Sequence, residues 1–330
     1  MRARMKRVVV VEPGGPEQLT LVDAPAPTPG PRECVVTLAA SGVNFIDVYF
    51  RKGSYKSDTP IVIGSEGAGV VRRVGTEVTE FAPGDRVAFA MFRGSYAEEI
   101  LIPAAQLVEI PDDVSFQTAA AVMLKGMTAH YLTRSTYPLA VGQTCLVHAA
   151  AGGAGGMIVQ MARLAGARVL GTASTEAKAD EARALGAEHV IIYTEEDFEA
   201  EVKQLTDGRG VDVVYDSVGQ STFDKSLKVL RPRGLLALFG QSSGPVAPVD
   251  PTLLNTRGSV FLTRPSLAHY LATRDELLWR ASEVMAYVAA GDLKARMSRV
   301  YPMAKAADAH RDLESRKTTG ALVLGIQDVK

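Results

Sequence analysis

The sequence predicts an α/β protein in two parts, a largely β domain and a doubly wound parallel sheet. Three observations carry this. The first third alternates short valine-rich runs with Gly/Pro turns. From Thr118 onward, helical segments alternate with apolar strand-like runs, as a doubly wound sheet requires. Within that second region, Thr144-Cys145-Leu146-Val147 runs into the glycine-rich stretch His148 to Gly156, which opens a helical segment. A chain of 330 residues also exceeds one ordinary domain.

In order, the β part is read as strands at 8–11, 34–40, 61–63, 69–74 and 86–90. The Pro-rich stretch 24–31 is a surface connection, too short for an independent linker. In the second part, strands are expected at 144–148, 168–172, 189–192, 211–216 and 235–240. Helices fall at 157–165, 177–185, 197–205 and 221–229. Gly166 and Gly186 each follow a helix, where a residue of positive φ is wanted. An apolar run at 260–262, an amphipathic segment at 274–290 and a terminal strand at 321–325 complete the pattern. No internal repeat is present.

The glycine-rich stretch is the most informative feature. It reads as G-x-G-x-x-G, with Ala150 in the first glycine position and Gly152 and Gly155 in the others. Such a turn serves tight strand–helix packing equally well, so its context decides. The strand at 168–172 follows at the spacing of a βαβ unit, and backbone N–H groups at the helix start suit a pyrophosphate. An NAD site places an acid at the end of that second strand to accept from the ribose 2′-OH. Here the strand ends Gly171-Thr172-Ala173-Ser174-Thr175, with no acid, and Lys178 follows. Room beside Ser174 and a nearby ammonium suit a 2′-phosphate, so NADP is favoured over NAD. Glu176 weighs against this, and Lys178 also reads as a solvated helix lysine.

Composition excludes several classes. Lys and Arg total 36 against 37 Asp and Glu, a net charge of −1 that gives no electrostatic case for nucleic acid. No apolar run approaches a membrane span, and the apolar run at 8–11 is too short for a signal peptide, so a soluble cytoplasmic protein is expected. The two cysteines, Cys34 and Cys145, lie in apolar strand-like segments and read as buried thiols.

Several motifs together resemble the zeta-crystallin-like quinone oxidoreductases, the zinc-free branch of the medium-chain dehydrogenase/reductase superfamily. They are Asn44-Phe45-Ile46-Asp47, Leu124-Lys125-Gly126-Met127-Thr128, His148 through Gly155 with Gln160 and Arg163, and Val214-Tyr215-Asp216-Ser217-Val218-Gly219. Phe239-Gly240-Gln241-Ser242-Ser243-Gly244, Thr263-Arg264-Pro265-Ser266 and Leu313-Glu314-Ser315-Arg316 extend the match nearly end to end. The resemblance implies a GroES-like β domain built from both termini, 1–125 and 263–330, around a Rossmann domain at 126–262. It also implies a homodimer. The run Val260-Phe261-Leu262 is a candidate pairing edge, or else lies under the terminal segment.

Zinc-dependent relatives carry C-G-x-C-H-x-D and G-H-E. Here the segments are Ser41-Gly42-Val43-Asn44-Phe45-Ile46-Asp47 and Gly64-Ser65-Glu66, whose hydroxyl, amide and apolar groups are poor zinc ligands. A structural zinc lobe needs four cysteines, and His130 and His148 are not spaced as a metal pair. No zinc is expected. Alcohol oxidation benefits from a Lewis acid, whereas quinone or activated-alkene reduction does not, which points toward reduction.

By position, the resemblance assigns Gly152, Gly153 and Ala154 to the pyrophosphate and Ser174, Lys178 and Tyr193 to the ribose phosphate. Asn44, Thr128 and Tyr131 fall near the nicotinamide, with Ser217, Phe239, Gly240 and Gln241 along the cofactor. Gln241 replaces the family's asparagine. Arg316 is similar to a cofactor-contacting arginine, or is a solvated residue beside Lys317. No acid–base pair emerges. Tyr49 and Tyr55 are candidates for orienting substrate or donating a proton, and serve equally as rim aromatics. The expectation is NADPH-dependent quinone reduction in a metal-free cleft between the domains, with one-electron transfer open. Alkenal or enone double-bond reduction is the second reading. An RNA-binding or structural crystallin-like role is the third, disfavoured by near-neutral charge and few aromatics.

Overall fold

A computed structural model describes residues 4–329. Antiparallel strands dominate the amino-terminal third. They are β1 (Arg4–Val10), β2 (Leu19–Pro25), β3 (Glu33–Val43), β4 (Ile61–Val62), β5 (Glu66–Val74), β6 (Arg86–Ala90), β7 (Glu99–Pro103) and β8 (Val108–Glu109). Helix α1 (Phe45–Arg51) leaves the end of β3, and α2 (Phe116–Tyr131) follows β8. β-Branched residues fill the inward positions, with Val36, Val71, Val87 and Ile102 buried in one core. β2 takes in Ala24 and Pro25, which the sequence assigns to a connection, because Pro25 sits at the strand end opposite Arg4.

The second unit is a wholly parallel sheet. Its strands are β9 (Thr144–Val147), β10 (Arg168–Ala173), β11 (His189–Ile192), β12 (Val211–Asp216), β13 (Leu230–Leu238) and β14 (Phe261–Thr263). Between them run α3 (Gly153–Leu164), α4 (Glu176–Ala184), α5 (Phe198–Leu205), α6 (Phe223–Lys228) and α7 (Thr252–Thr256). The strand order is β11-β10-β9-β12-β13-β14, so chain direction across the sheet reverses between β9 and β12. That is the Rossmann order, and the reversal is where such sheets bind ligands. Leu146, Leu170, Ile191, Val214 and Leu236 are buried together, as strands covered on both faces require.

Several boundaries in this unit differ from the sequence reading. α3 starts at Gly153 rather than 157, because Gly153–Gly156 reads locally as turn but lies in the helix's first turn. β9 stops at Val147, leaving His148 to begin the turn. β13 starts at Leu230 rather than 235, and α6 is confined to Phe223–Lys228. Gly166 and Gly186 do adopt positive φ, 74° and 112°.

The chain then returns through α8 (Arg274–Ala289), β15 (Met297–Pro302), α9 (Ala306–Ser315) and β16 (Ala321–Gly325). β16 pairs antiparallel with β3, Leu322 opposite Val43 and Gly325 opposite Ala40. The first sheet, β15-β16-β3-β5-β6-β8 with β7 also on β3, is therefore closed by the carboxyl-terminal strand. The chain divides between Met127 and Thr128, within α2, and between Tyr270 and Leu271. The sequence places these cuts at 126 and 263. Residues up to Tyr270 stay with the parallel sheet because β14 pairs with β13 and Tyr270 stacks on Tyr131, ring centroids 4.3 Å apart.

Candidate functional site

Because β9, β10, β12 and β13 are parallel, the turns following them gather along one edge of their sheet. After β9, Ala149 takes a left-handed conformation (φ 52°), and Gly152 caps α3. In the first helical turn the Gly156 amide donates to the Gly152 carbonyl at 2.8 Å, while the N–H groups of Gly153, Ala154 and Gly155 point out along the positive end of the helix dipole. Gly155 is required here, since a Cβ would overlap the carbonyl oxygen of Ala149. After β12, Ser217 meets the turn after β13: a Cβ on Gly240 would lie 2.5 Å from the Ser217 carbonyl oxygen, and the Ser242 amide donates to that oxygen. Ser217, Phe239 and Gln241 are half-buried along this edge, and Gly240 is buried.

A buried hydrogen-bond chain holds the edge in shape. Asp216 Oδ1 accepts from the amides of Val218 and Gly219 at 2.7 and 3.0 Å, and Oδ2 accepts from the hydroxyls of Thr222 and Ser226. With Ser226 donating to Asp216, its oxygen accepts from His148 Nε2 at 2.9 Å. His148 Nδ1 then accepts from Thr172 at 3.0 Å. Burial pushes the His148 pKa down while Asp216 pulls it up, and the neutral ring satisfies both partners.

Ser174 directly follows β10, Tyr193 directly follows β11, and Lys178 lies in the first turn of α4. The Tyr193 amide donates to the Ala173 carbonyl at 3.1 Å, and the Thr194 hydroxyl donates to the Ser174 carbonyl at 3.1 Å. Thr175 caps α4 by accepting from the Lys178 amide, which places Lys178 in the first turn. Tyr193 is 47% exposed. Burial lowers the Lys178 pKa, and Glu181 opposes that shift. Glu176 pairs with Arg183 at 2.5 Å. The acid that weighs against a phosphate is thus engaged elsewhere.

In the amino-terminal unit, the positions that hold metal in zinc relatives form a closed polar network. Glu66 Oε1 accepts from Asn44 Nδ2 at 2.8 Å and Lys125 Nζ at 2.6 Å, and Oε2 accepts from the Leu124 amide at 2.7 Å. The side chains of Glu66 and Lys125 are 0% and 7% exposed. Ser41 donates to the Glu66 carbonyl and shares a 2.6 Å hydrogen bond with Ser95. These residues do not fit zinc: hydroxyls and an amide replace thiolates, and the one carboxylate among these groups is already paired with an ammonium. Sequence reasoning missed the pair, although a lysine inside the apolar run of α2 is a visible signal.

Asp47 lies fully buried beside this network. Its Oδ1 accepts from Ser65 at 2.6 Å and its Oδ2 from the Asn44 amide at 3.0 Å. Burial pushes its carboxyl up to about 7 against the pull of those two hydrogen bonds. A second chain runs alongside. Arg51 can only donate, so His310 Nδ1 accepts at 3.0 Å and Nε2 carries the proton toward Tyr96 at 3.1 Å. Arg51 also pairs with Glu314 at 2.7 Å, tying α1 to α9. Burial and Arg51 hold His310 down at about 3, a neutral ring.

A pH dependence follows for Asp47. Between about 4 and 7 the native carboxyl keeps a proton that the unfolded chain has released, so stability should fall as pH rises through that window. Urea unfolding midpoints of the wild type and Asp47→Asn across that range check this. The wild-type midpoint should drop more steeply than the variant's, and parallel profiles would remove Asp47 as the cause.

The remaining sequence candidates are distributed as follows. Asn44 caps α1 and is buried against Glu66. Thr128 and Tyr131 are buried in α2, at the start of the second unit. Tyr49 and Tyr55 meet edge to face at 5.3 Å. Arg316 is exposed and left-handed (φ 57°) at the end of α9. Asn44, Tyr49, Tyr55 and Arg316 thus belong to the unit with both termini, and the other candidates to the parallel-sheet unit.

A largely antiparallel domain drawn from both terminal segments of the chain, with a Rossmann unit inserted in the sequence between those segments, defines a dehydrogenase-type chain. Residues 30–112 match the alcohol dehydrogenase GroES-like domain, and 153–274 match the zinc-binding dehydrogenase family. The chain is 45% identical to a quinone oxidoreductase of Pseudomonas aeruginosa, over 97% of this chain and 99% of the relative. It is 42% identical to a 2-haloacrylate reductase from Burkholderia, over 96% and 97%. The structure of Escherichia coli quinone oxidoreductase complexed with NADPH superposes with a TM-score of 0.95 at 41% identity, covering 97% of this chain and 99% of that one. The chain belongs to the quinone oxidoreductase family of the medium-chain dehydrogenase/reductase superfamily. Among the described residues no helix is long and apolar enough to cross a membrane.

Proposed function

We propose that this chain reduces quinones with NADPH and needs no metal to do so. The observation that carries the cofactor choice is the group Ser174, Lys178 and Tyr193 at and after the ends of β10 and β11, with Glu176, the acid just past the strand end, paired with Arg183. Bound NADPH would supply a hydride from its nicotinamide ring. Gly153 and Ala154 present backbone N–H groups to the pyrophosphate, and Gly152, whose own amide donates to the Ala149 carbonyl, lets the phosphates approach the turn closely; a Cβ on Gly155 does not fit there. Ser217, Phe239, Gly240 and Gln241 line the edge that the dinucleotide follows. Asn44, Thr128, Tyr131 and Arg316 complete the cofactor contacts, with Asn44 oriented by Glu66. Tyr49 and Tyr55 orient the acceptor. A quinone is electron-poor enough to accept hydride without a Lewis acid, which suits a site whose carboxylate holds a lysine.

The cofactor choice is tested by Lys178→Ala. NADPH affinity should fall about ten- to a hundredfold, roughly 1.5–3 kcal/mol, while NADH binding barely changes. Equal losses for both nucleotides, read by calorimetry, would remove Lys178 from the phosphate site.

A second reading, reduction of an activated carbon–carbon double bond, is favoured by the likeness to a 2-haloacrylate reductase. Rates with 1,4-benzoquinone and an alkenal side by side separate the two. The homodimer of this reading would pair through β14, which forms the sheet edge with Phe261 60% exposed.

A further inference from the structure

The amino-terminal unit contains a cavity of about 670 Å³ whose lining includes Tyr55, Lys56, Ser57, Asp58, Ile61 and Arg93. That size suits a small organic molecule. Tyr55 is the one aromatic residue in the lining, and its ring is held behind the cavity wall by Tyr49 at 5.3 Å and Phe50 at 5.5 Å, both edge to face. Arg93 lies with its guanidinium 4.5 Å from the Phe50 ring centre and donates to the Ser57 hydroxyl at 2.7 Å. Arg93 is exposed, and no carboxylate among the described residues pairs with its guanidinium. Lys56 is likewise without an ion pair among the described residues. Asp58 is the one acid in the lining, so its two cations and one anion leave a net charge of +1. The Tyr55 hydroxyl makes no hydrogen bond to the described residues. A guanidinium without an ion pair offers parallel N–H groups that match a carboxylate or sulfonate.

We propose that this cavity is the acceptor subsite and takes a planar, electron-poor ring bearing a carboxylate or sulfonate. Arg93 and Lys56 meet the anion, and the Tyr55 hydroxyl meets a ring carbonyl. The assignment rests on the reductase reading and narrows it to anionic acceptors.

The test compares 1,4-naphthoquinone-2-sulfonate with 1,4-naphthoquinone as acceptors for NADPH oxidation. The two quinones differ in intrinsic reactivity, so the quantity that matters is how their kcat/KM ratio changes on mutation. Arg93→Met should lower the sulfonate-to-neutral ratio about tenfold, mainly through KM for the sulfonate. Lys56→Met should lower it less, and added salt should shrink both effects. Arg93→Lys, which keeps the charge but loses the planar fork, should recover only part of the ratio. A ratio indifferent to Arg93 and to salt overturns the subsite. Naphthalene-2-sulfonate, which accepts no hydride, provides a binding readout independent of turnover. Arg93-dependent binding with neither quinone reduced would uphold the subsite while sinking the quinone reading.

Discussion

Lys125→Met is expected to destabilise the protein by about 3–5 kcal/mol, among the largest costs of any single substitution considered. The variant leaves the Glu66 carboxylate, 0% exposed, without its one cationic partner. The remaining donors, Asn44 Nδ2 and the Leu124 amide, cannot neutralise a charge taken out of water. The charge account makes a second demand. Glu66→Gln combined with Lys125→Met should recover most of the lost stability, because a neutral amide no longer needs the ammonium. It should not restore NADPH affinity, since the amide introduced by Glu66→Gln can present its own NH₂ to Asn44 and turn that side chain. Chemical unfolding of both single variants and the double variant gives the coupling. Additive losses would mean that Lys125 serves only as packing.

Gly155→Ala should produce the second large effect, on cofactor binding. Its methyl group would overlap the Ala149 carbonyl oxygen, a backbone atom that cannot rotate away. The turn from Ala149 to Gly152 must then shift, at a cost of about 1–3 kcal/mol in packing. NADPH affinity should fall at least about tenfold, because the displaced N–H groups are those assigned to the pyrophosphate. Calorimetric titration with NADPH checks this, with thermal unfolding as a control for folding. Wild-type affinity in a folded Gly155→Ala protein would place the pyrophosphate elsewhere.

The parallel sheet is highly legible in the sequence because its strands are continuous apolar runs, buried on both faces and separated by helices ending in glycine. Gly166 and Gly186 mark helix ends for a local reason, the need for positive φ. The helix start is harder to read. Gly153, Gly155 and Gly156 have poor helical propensity, so only the surrounding βαβ unit shows that they belong to α3. In the other unit, β7, β15, α1 and α9 are not visible in advance because their patterns are short and mixed. That β16 completes the sheet of β3 is a pairing across the whole chain, which no local pattern encodes.

Ser174 and Lys178 are legible as candidates from the motif and the strand end, whereas Tyr193 joins them only through the family resemblance. The buried supports are not legible. Thr172, His148, Ser226 and Asp216 are scattered through the sequence and meet only after the sheet has formed. The same holds for Arg51, His310 and Glu314. Lys125 is visible as a charge in an apolar helix, but its partner Glu66 lies on a different element, β5.

Titration calorimetry of the purified protein with NADPH, followed by addition of 1,4-benzoquinone to the same sample, probes the core of this picture. One mole of NADPH should bind per chain, more tightly than NADH, and the quinone should then oxidise it with no metal added and chelator present. No heat from NADPH, or turnover that disappears with chelator and returns with zinc, would contradict it.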